Sequence, residues 1–95
     1  RPRIAPFEMA EKAVNWGESV SVVCNVVSGD TPLEISWAFN GVTIGDDNPH
    51  ISVGVTKRNS LLSIDSASPS HAGEYTCVAS NAAGGTSYSS VLTVN

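Results

Sequence analysis

The sequence has few of the residues from which metal sites are built. Its 95 residues include only two histidines, two cysteines and one methionine. A zinc site needs three or four converging ligands, and the sequence shows no such cluster. Asp46, Asp47 and Asn48 are consecutive oxygen donors, but they lack the alternate spacing of a calcium loop, which favours a solvated loop. We therefore expect no metal and no cofactor.

Motifs for catalysis and for phosphate binding are missing as well. Serine is common, but no serine stands in a Gly-x-Ser-x-Gly elbow, and neither a Gly-x-Gly-x-x-Gly sequence nor a P-loop occurs. An active site needs several converging groups of matched chemistry. We therefore expect that the protein is not an enzyme and has no small-molecule substrate.

Long apolar runs and basic stripes are absent too. No run approaches the roughly eighteen residues that a membrane-spanning helix requires, and no secretory signal peptide is recognisable. The formal net charge is −4, and the five basic residues are dispersed apart from Lys57 and Arg58. This charge balance argues against nucleic acid as a partner. Because the sequence contains no Asn-x-Ser/Thr sequon, we expect no face to be masked by N-linked glycans.

What the chain does have is alternation of apolar and polar residues with a period of two. In residues 19–26, for example, three valines and Cys24 share one parity while small polar residues occupy most of the other, as in a half-buried strand. Short strands with turns between them, and no helical period, predict an all-β, two-sheet sandwich. The expected strands cover residues 1–7, 19–26, 33–39, 42–44, 51–56, 60–64, 74–80 and 85–94, and residues 8–14 are expected to cross between the sheets.

Four residues give this pattern a specific frame. Tyr75 and Cys77 share the inward parity of one strand, and Cys24 and Trp37 precede them. The types, order and spacing of these residues resemble the signature of the immunoglobulin superfamily, in its intermediate set. The resemblance implies a single immunoglobulin domain over residues 1–95, with one sheet of strands A-B-E-D and another of strands A′-G-F-C.

The same resemblance implies how the core of the sandwich is built. In this superfamily a disulfide joins the two sheets, here between Cys24 and Cys77, and the tryptophan corresponding to Trp37 packs on it. Tyr75 is expected to form the tyrosine corner at the start of strand F. Leu62 has the inward parity of strand E, so we expect it in the core.

A disulfide between Cys24 and Cys77 would have consequences for stability and for location. In the chain-entropy model, closing a loop of this length contributes about 4 kcal/mol. Disulfides persist on cell surfaces and in secreted proteins, so we expect the extracellular part of a single-pass plasma-membrane receptor, or a secreted form. The domain is then expected to be excised from a longer multi-domain receptor, or to be a mature product. Two reduced core cysteines in a cytosolic, muscle-type immunoglobulin domain are the alternative.

Four stretches point to a narrower resemblance. Residues 4–7, 29–37, 57–66 and 70–77 are similar to the alternatively spliced seventh immunoglobulin domain of arthropod Dscam (Down syndrome cell adhesion molecule), and equally to the variable first domain of the shortened Dscam proteins of chelicerates. This resemblance implies homophilic cell adhesion and neuronal self-recognition. The implied partners are an identical domain of another copy, paired antiparallel through the A-B-E-D face as a homodimer, and neighbouring immunoglobulin domains in the same chain. Heterophilic or immune binding through loops and a structural spacer are the alternatives.

The A-B-E-D face is the set of outward side chains on strands B, D and E. Val23 and Leu61 are apolar in this set, among small polar residues. A two-fold interface uses one patch twice, so a nearly uncharged patch avoids like charges across the axis. The opposite sheet presents Glu34 and Glu74, which would repel there. The expected interface residues are Ser21, Val23, Asn25, Ser52, Gly54, Thr56, Leu61 and Ser63.

Two further residues each allow a functional and a structural interpretation. Trp16 precedes the turn glycine Gly17, and it is either an interface anchor or a lid over the end of the sandwich, which is the more ordinary role. His71 stands at a turn where most immunoglobulin domains have Asp. It is either a pH-sensitive contact or a neutral turn residue, and the sequence favours the neutral one because nothing near it suggests a switch.

Overall fold

The computed structural model describes residues 2–10, 12–45 and 50–95. Eight strands and one short 3-10 helix lie in these ranges. Their bounds are β1 Arg3–Ile4, β2 Val20–Ser28, β3 Glu34–Phe39, β4 Val42–Thr43, β5 Ile51–Val55, β6 Asn59–Ile64, the helix Pro69–His71, β7 Gly73–Asn81 and β8 Gly84–Leu92. The predicted loop with Asp46, Asp47 and Asn48 lies outside the described residues.

The strands form two four-stranded sheets, as the alternation predicted. One sheet has the order β1-β2-β6-β5, which corresponds to A-B-E-D, and the other has the order β4-β3-β7-β8. All pairs within the sheets are antiparallel. The two sheets pack as an immunoglobulin-like sandwich, with the alternate side chains of each strand buried between them.

The first fourteen residues form less strand than expected. The predicted strand over residues 1–7 shrinks to β1, because Pro2 and Pro6 flank it and donate no ladder hydrogen bond. The predicted strand A′ beside β8 reduces to one parallel bridge, between Val14 and Val94. The backbone N–H of Met9 instead donates to the side-chain hydroxyl of Ser90, at 3.1 Å. In the described residues, the fourth strand of the second sheet is β4 and not the predicted strand A′.

The core is built around the disulfide that the resemblance implied. Cys24 and Cys77 are bonded across the two sheets, with Sγ atoms 2.03 Å apart, and both are fully buried. Trp37 and Leu62 are also buried. The indole Nε1 of Trp37 donates a hydrogen bond to Ser60 Oγ at 2.9 Å, which satisfies a polar group that would be costly to bury alone.

The predicted tyrosine corner is present, and the backbone of His71 supplies its hydrogen-bond acceptor. The Tyr75 hydroxyl, fully buried, donates to the backbone carbonyl of His71 at 2.7 Å, and burial raises the pKa of Tyr75 to about 12. The imidazole of His71 is itself buried. Its Nδ1 accepts a hydrogen bond from the Ser68 backbone N–H at 3.0 Å. The neutral ring therefore caps the 3-10 helix, which lies directly before the corner.

We predict that acidification destabilises the domain through His71. Protonating Nδ1 would remove the acceptor that Ser68 uses, and burial, followed by the nearby His50, lowers the His71 pKa below 6.5. A group with a lowered folded pKa contributes stability that is complete above its unfolded pKa and is lost as pH falls through the folded pKa. The free energy of unfolding should therefore fall from about pH 8 to about pH 5.

Urea unfolding at the two pH values measures this dependence. His71→Asn keeps a side-chain oxygen acceptor but does not titrate, so its unfolding free energy should change less with pH than that of the wild type. His50→Gln leaves the cap in place and removes only the smaller cause of the lowered His71 pKa, so this variant should keep most of the pH dependence. An unchanged pH dependence in the His71→Asn variant would contradict the prediction.

One end of the sandwich is more open than the alternation predicted. Val55 has the inward parity of Ile51 and Val53, yet it is 54% exposed. Leu33 has the parity of buried Ile35 and Trp37 but is only half-buried, ahead of the first residue of β3. Both lie at strand ends beyond the closely packed part of the sandwich, so parity no longer buries them.

Candidate functional site

The outward side chains of β2, β6 and β5 form a regular grid on the A-B-E-D face. The strand register places residues of similar chemistry at the same level, and Thr56, the residue after β5, lies beside Asn59 through a backbone hydrogen bond of 2.8 Å. There is a hydroxyl row, an apolar row and an amide row. The rows are Ser21–Ser63–Ser52, Val23–Leu61–Gly54 and Asn25–Asn59–Thr56.

The apolar row crosses the middle of the sheet. Leu61 pairs with Val23 on one side and with Gly54 on the other. Val23 is 49% exposed and Leu61 is 44% exposed, so both keep a large apolar surface in water. Cross-strand neighbours of this kind form one continuous patch. The structure therefore brings together the two apolar residues that the sequence singled out.

Hydrogen-bonding groups flank the apolar row on both sides. In the hydroxyl row, the Oγ atoms of Ser21 and Ser63 are 3.4 Å apart. In the amide row, Thr56 Oγ1 donates to Asn59 Oδ1 at 2.7 Å. None of the nine grid positions carries a charged side chain, so the face is neutral over its whole centre.

Asn59 belongs to this grid although the strand predicted over residues 60–64 does not include it. The strand expected at residues 60–64 begins one residue earlier, and Asn59 pairs with Asn25. The signal that could have found it is the parity of Leu61 and Ser63, which Asn59 shares.

Gly54 has no role in the fold that would require glycine. A Cβ atom added at Gly54 would meet nothing within 4 Å, and the backbone of Gly54 does not have a positive φ. Its carbonyl accepts a hydrogen bond from Ser60 Oγ at 2.9 Å, but any residue supplies a carbonyl. Glycine in a strand weakens it and marks sites where another backbone approaches closely.

The opposite sheet presents a face of different character. Glu34 and Glu74 are exposed on it, at the first residue of β3 and the second of β7. Between these levels lie small hydroxyl side chains, including Thr76 and Ser89, whose side-chain oxygens are 2.8 Å apart. Val78 and Val91 are exposed apolar residues of this sheet, and Val91 lies opposite Glu74.

Trp16 does not cover the end of the sandwich. Its side chain is 69% exposed, so the interpretation as a lid is wrong. A cavity of about 220 Å³ lies beside it, and His50 and His71 line this cavity together with three serines. The interpretation as an interface anchor remains.

The loops offered as an alternative binding site lie at the other end. The side-chain amide of Asn81 donates to the backbone carbonyl of Asp30 at 3.0 Å, which ties the loop after β2 to the turn after β7. Ala83 is exposed at the tip of that turn.

Across residues 2–10, 12–45 and 50–95, no group of three potential metal-ligating His, Cys, Asp or Glu residues is found. In the same ranges, no helix is long and apolar enough to span a membrane.

Comparison with known proteins gives consistent results. The family model of the immunoglobulin domain matches residues 1–81. The chain is 42% identical over 95 residues to the cell adhesion molecule Dscam1 of Drosophila melanogaster, an alignment that covers 99% of this chain and 5% of the relative. Among solved structures, the Dscam1 Ig7 domain of isoform 9 has 39% identity, a TM-score of 0.92 and 98% coverage of both chains. Isoform 5 of that domain has 36% identity and a TM-score of 0.94, covering 99% of this chain and 96% of the other. The chain thus spans only about a twentieth of the curated relative's length.

Proposed function

The chain belongs to the immunoglobulin domain family and closely resembles the Ig7 domain of Dscam1, and from this premise we propose that it is a homophilic adhesion module. Dscam-type cell adhesion molecules are not enzymes. In our proposal an identical domain on another cell is the partner, and the A-B-E-D face is the contact. The domain then belongs to the extracellular part of a longer, multi-domain surface receptor.

The observation that supports this proposal best is the symmetry of the three rows. A two-fold axis along the apolar row would place Val23 and Leu61 each against its own mate and would reverse the strands of the second copy. The hydroxyl row of one copy would then face the amide row of the other. Serine hydroxyls and asparagine amides both donate and accept hydrogen bonds, so the two rows are complementary.

Neutrality of the face supports the same pairing. Residues on a two-fold axis meet themselves, and like charges there cost several kcal/mol. The nine grid positions are uncharged, whereas the opposite sheet exposes Glu34 and Glu74. The A-B-E-D face is therefore the better candidate for self-association.

A face of this size is expected to pair weakly by itself. Interfaces below about 1,200 Å² are typical of transient encounters. Linking several such domains in one receptor, or presenting many copies on a cell, raises the overall strength through effective concentration. We expect micromolar association of the isolated domain and firm adhesion only between arrays.

We predict that Gly54→Val weakens self-association and leaves the fold intact. The added Cβ meets nothing within 4 Å of the same chain, and valine favours strands. Across the proposed axis, however, the side chain would enter the space where the partner's backbone approaches. Sedimentation equilibrium should show a concentration-dependent dimer for the wild type and at least tenfold weaker association for the variant.

Ser87→Val is the matched control, because it adds a valine at an exposed position of β8 on the other sheet. It should associate like the wild type. A wild-type protein that stays monomeric at millimolar concentration would refute homophilic pairing. Dimerisation of the Gly54→Val variant at wild-type strength would place the contact elsewhere.

A further inference from the structure

Trp16 is exposed but firmly held. Its backbone N–H donates to the Asn95 carbonyl at 3.0 Å, and the N–H of Gly17 donates to the Ala67 carbonyl at 2.8 Å. Glu18 Oε1 accepts from the Asn15 N–H at 2.6 Å. The turn therefore presents an indole, 69% exposed, from a fixed backbone. Tryptophan is enriched among the residues that contribute most to protein interfaces.

An open groove lies at the other end of the same sandwich. The groove has a volume of about 630 Å³ and lies between the segment before β3 and the end of β5. Leu33 and Val55 give it apolar walls, and Lys57 lies at its rim. Thr56 lines the groove and also belongs to the amide row. The groove is thus continuous with the face proposed to pair.

The indole and the groove lie at opposite ends of β5. The groove begins at Val55, the last residue of β5, whereas Trp16 shares its cavity with His50, which directly precedes the first residue, Ile51. Five strand residues span about 17 Å. The two-fold axis proposed along the apolar row crosses β5 at Gly54, and rotation about it reverses that strand. The rotation turns the groove of one copy toward the Trp16 end of the other.

The β5 side of the groove is basic and the residues near Trp16 are acidic, whereas Asp30 and Glu34 flank the other wall of the groove. Lys57 and Arg58 follow β5 at the groove end. Glu18 lies two residues after Trp16, and Asp65 directly precedes Ser66, which lines the cavity beside the indole. Antiparallel pairing would therefore bring Lys57 and Arg58 of one copy toward Glu18 and Asp65 of the other, whereas parallel pairing would bring like charges of these residues together.

We propose that Trp16 of one copy inserts into the groove between Leu33 and Val55 of a second copy, and that the symmetry repeats this contact. The inference rests on the proposed homophilic pairing and adds its anchor. The central grid supplies a neutral, self-complementary surface. The two indole contacts at its ends supply apolar burial and fix the antiparallel direction.

Sedimentation equilibrium of Trp16→Ala, Val55→Ala and the double variant tests this contact. Each single variant should associate at least tenfold more weakly than the wild type, because each change removes two symmetric contacts. The double variant should be little weaker than Trp16→Ala alone, since both side chains belong to one contact. Val42→Ala is the control, because Val42 is equally exposed, at 69%, on the other sheet.

Tryptophan fluorescence gives a second readout on the unmodified protein. Trp37 is 1% exposed, so a blue shift of emission with rising protein concentration would report burial of Trp16, and Trp16→Phe should abolish it. If the wild type dimerises and Trp16→Ala dimerises equally well, the anchor is refuted while homophilic pairing stands. If the effects of Trp16→Ala and Val55→Ala add, the indole contacts another surface and the groove is refuted. A monomeric wild type refutes both proposals.

Discussion

Replacing Cys24 and Cys77 together by alanine is expected to lower the free energy of unfolding by about 4 kcal/mol. The bond joins residues 53 apart in sequence. In the chain-entropy model, removing a cross-link of that span returns about 4 kcal/mol of conformational freedom to the unfolded chain. A domain of this length has a total stability of roughly 5–14 kcal/mol. The variant should therefore lose a large share of its stability, and it will be partly unfolded if the wild type lies near the lower limit.

Urea unfolding followed by the fluorescence of buried Trp37 measures this change. Reduction of the wild type with dithiothreitol provides an independent route to the same state, and it should shift the unfolding midpoint by a similar amount. Cys24→Ala alone leaves a free thiol at Cys77, so comparison with the double variant separates the loss of the bond from the loss of packing. A midpoint unchanged by both treatments would show that packing of the sheets alone carries the stability, as in the alternative with reduced core cysteines.

The alternation predicted β2 well because one of its faces is entirely buried. Along Val20–Ser28 the buried and exposed residues alternate from Val20 as far as Val26, and a slip of one residue would move every apolar side chain into water. The same physics identified the inward residues Leu62 and Tyr75. The cysteine, tryptophan and tyrosine frame then fixed the pairing of the sheets.

What the alternation cannot provide is the register between strands that are distant in sequence. Val23 lies opposite Leu61, and Leu61 lies opposite Gly54, only because the strands pair at these residues. Parity therefore assigned the eight expected interface residues to one face of the sheet but did not show which of them lie side by side on neighbouring strands. The alignment of these residues into three rows follows from the register alone.

Strand ends were also beyond prediction from parity. Parity assigns Val55 to the core, but Val55 is the last residue of β5 and its side chain lines the groove instead. At the opposite end, the sequence favours a lid for Trp16, because single exposed apolar residues are ordinary. The backbone of this turn is fixed by hydrogen bonds from the Trp16 N–H to Asn95 and from the Gly17 N–H to Ala67, and the indole is exposed to solvent.

The position of Val23 in the apolar row makes self-association sensitive to a charge at this residue. Val23→Asp and Val23→Lys should each weaken self-association by about a hundredfold or more, because a residue on a two-fold axis meets its own mate and like charges there cost several kcal/mol. Mixing the two variants should restore a dimer, now heterotypic, because each aspartate then faces a lysine. Val78→Asp, on the opposite sheet, is the matched control and should pair like the wild type.

The mixing experiment separates a symmetric contact along the apolar row from other uses of this face. A heterophilic ligand bound to the same patch would be lost in both variants and would not return on mixing. A two-fold axis displaced from the row would leave Val23 opposite a different residue, so the mixture would stay as weak as its parts. Sedimentation velocity of the mixture, with one variant fluorescently labelled, distinguishes these cases directly. Only restoration in the mixture, with no dimer in either variant alone, agrees with an axis that runs along Val23, Leu61 and Gly54.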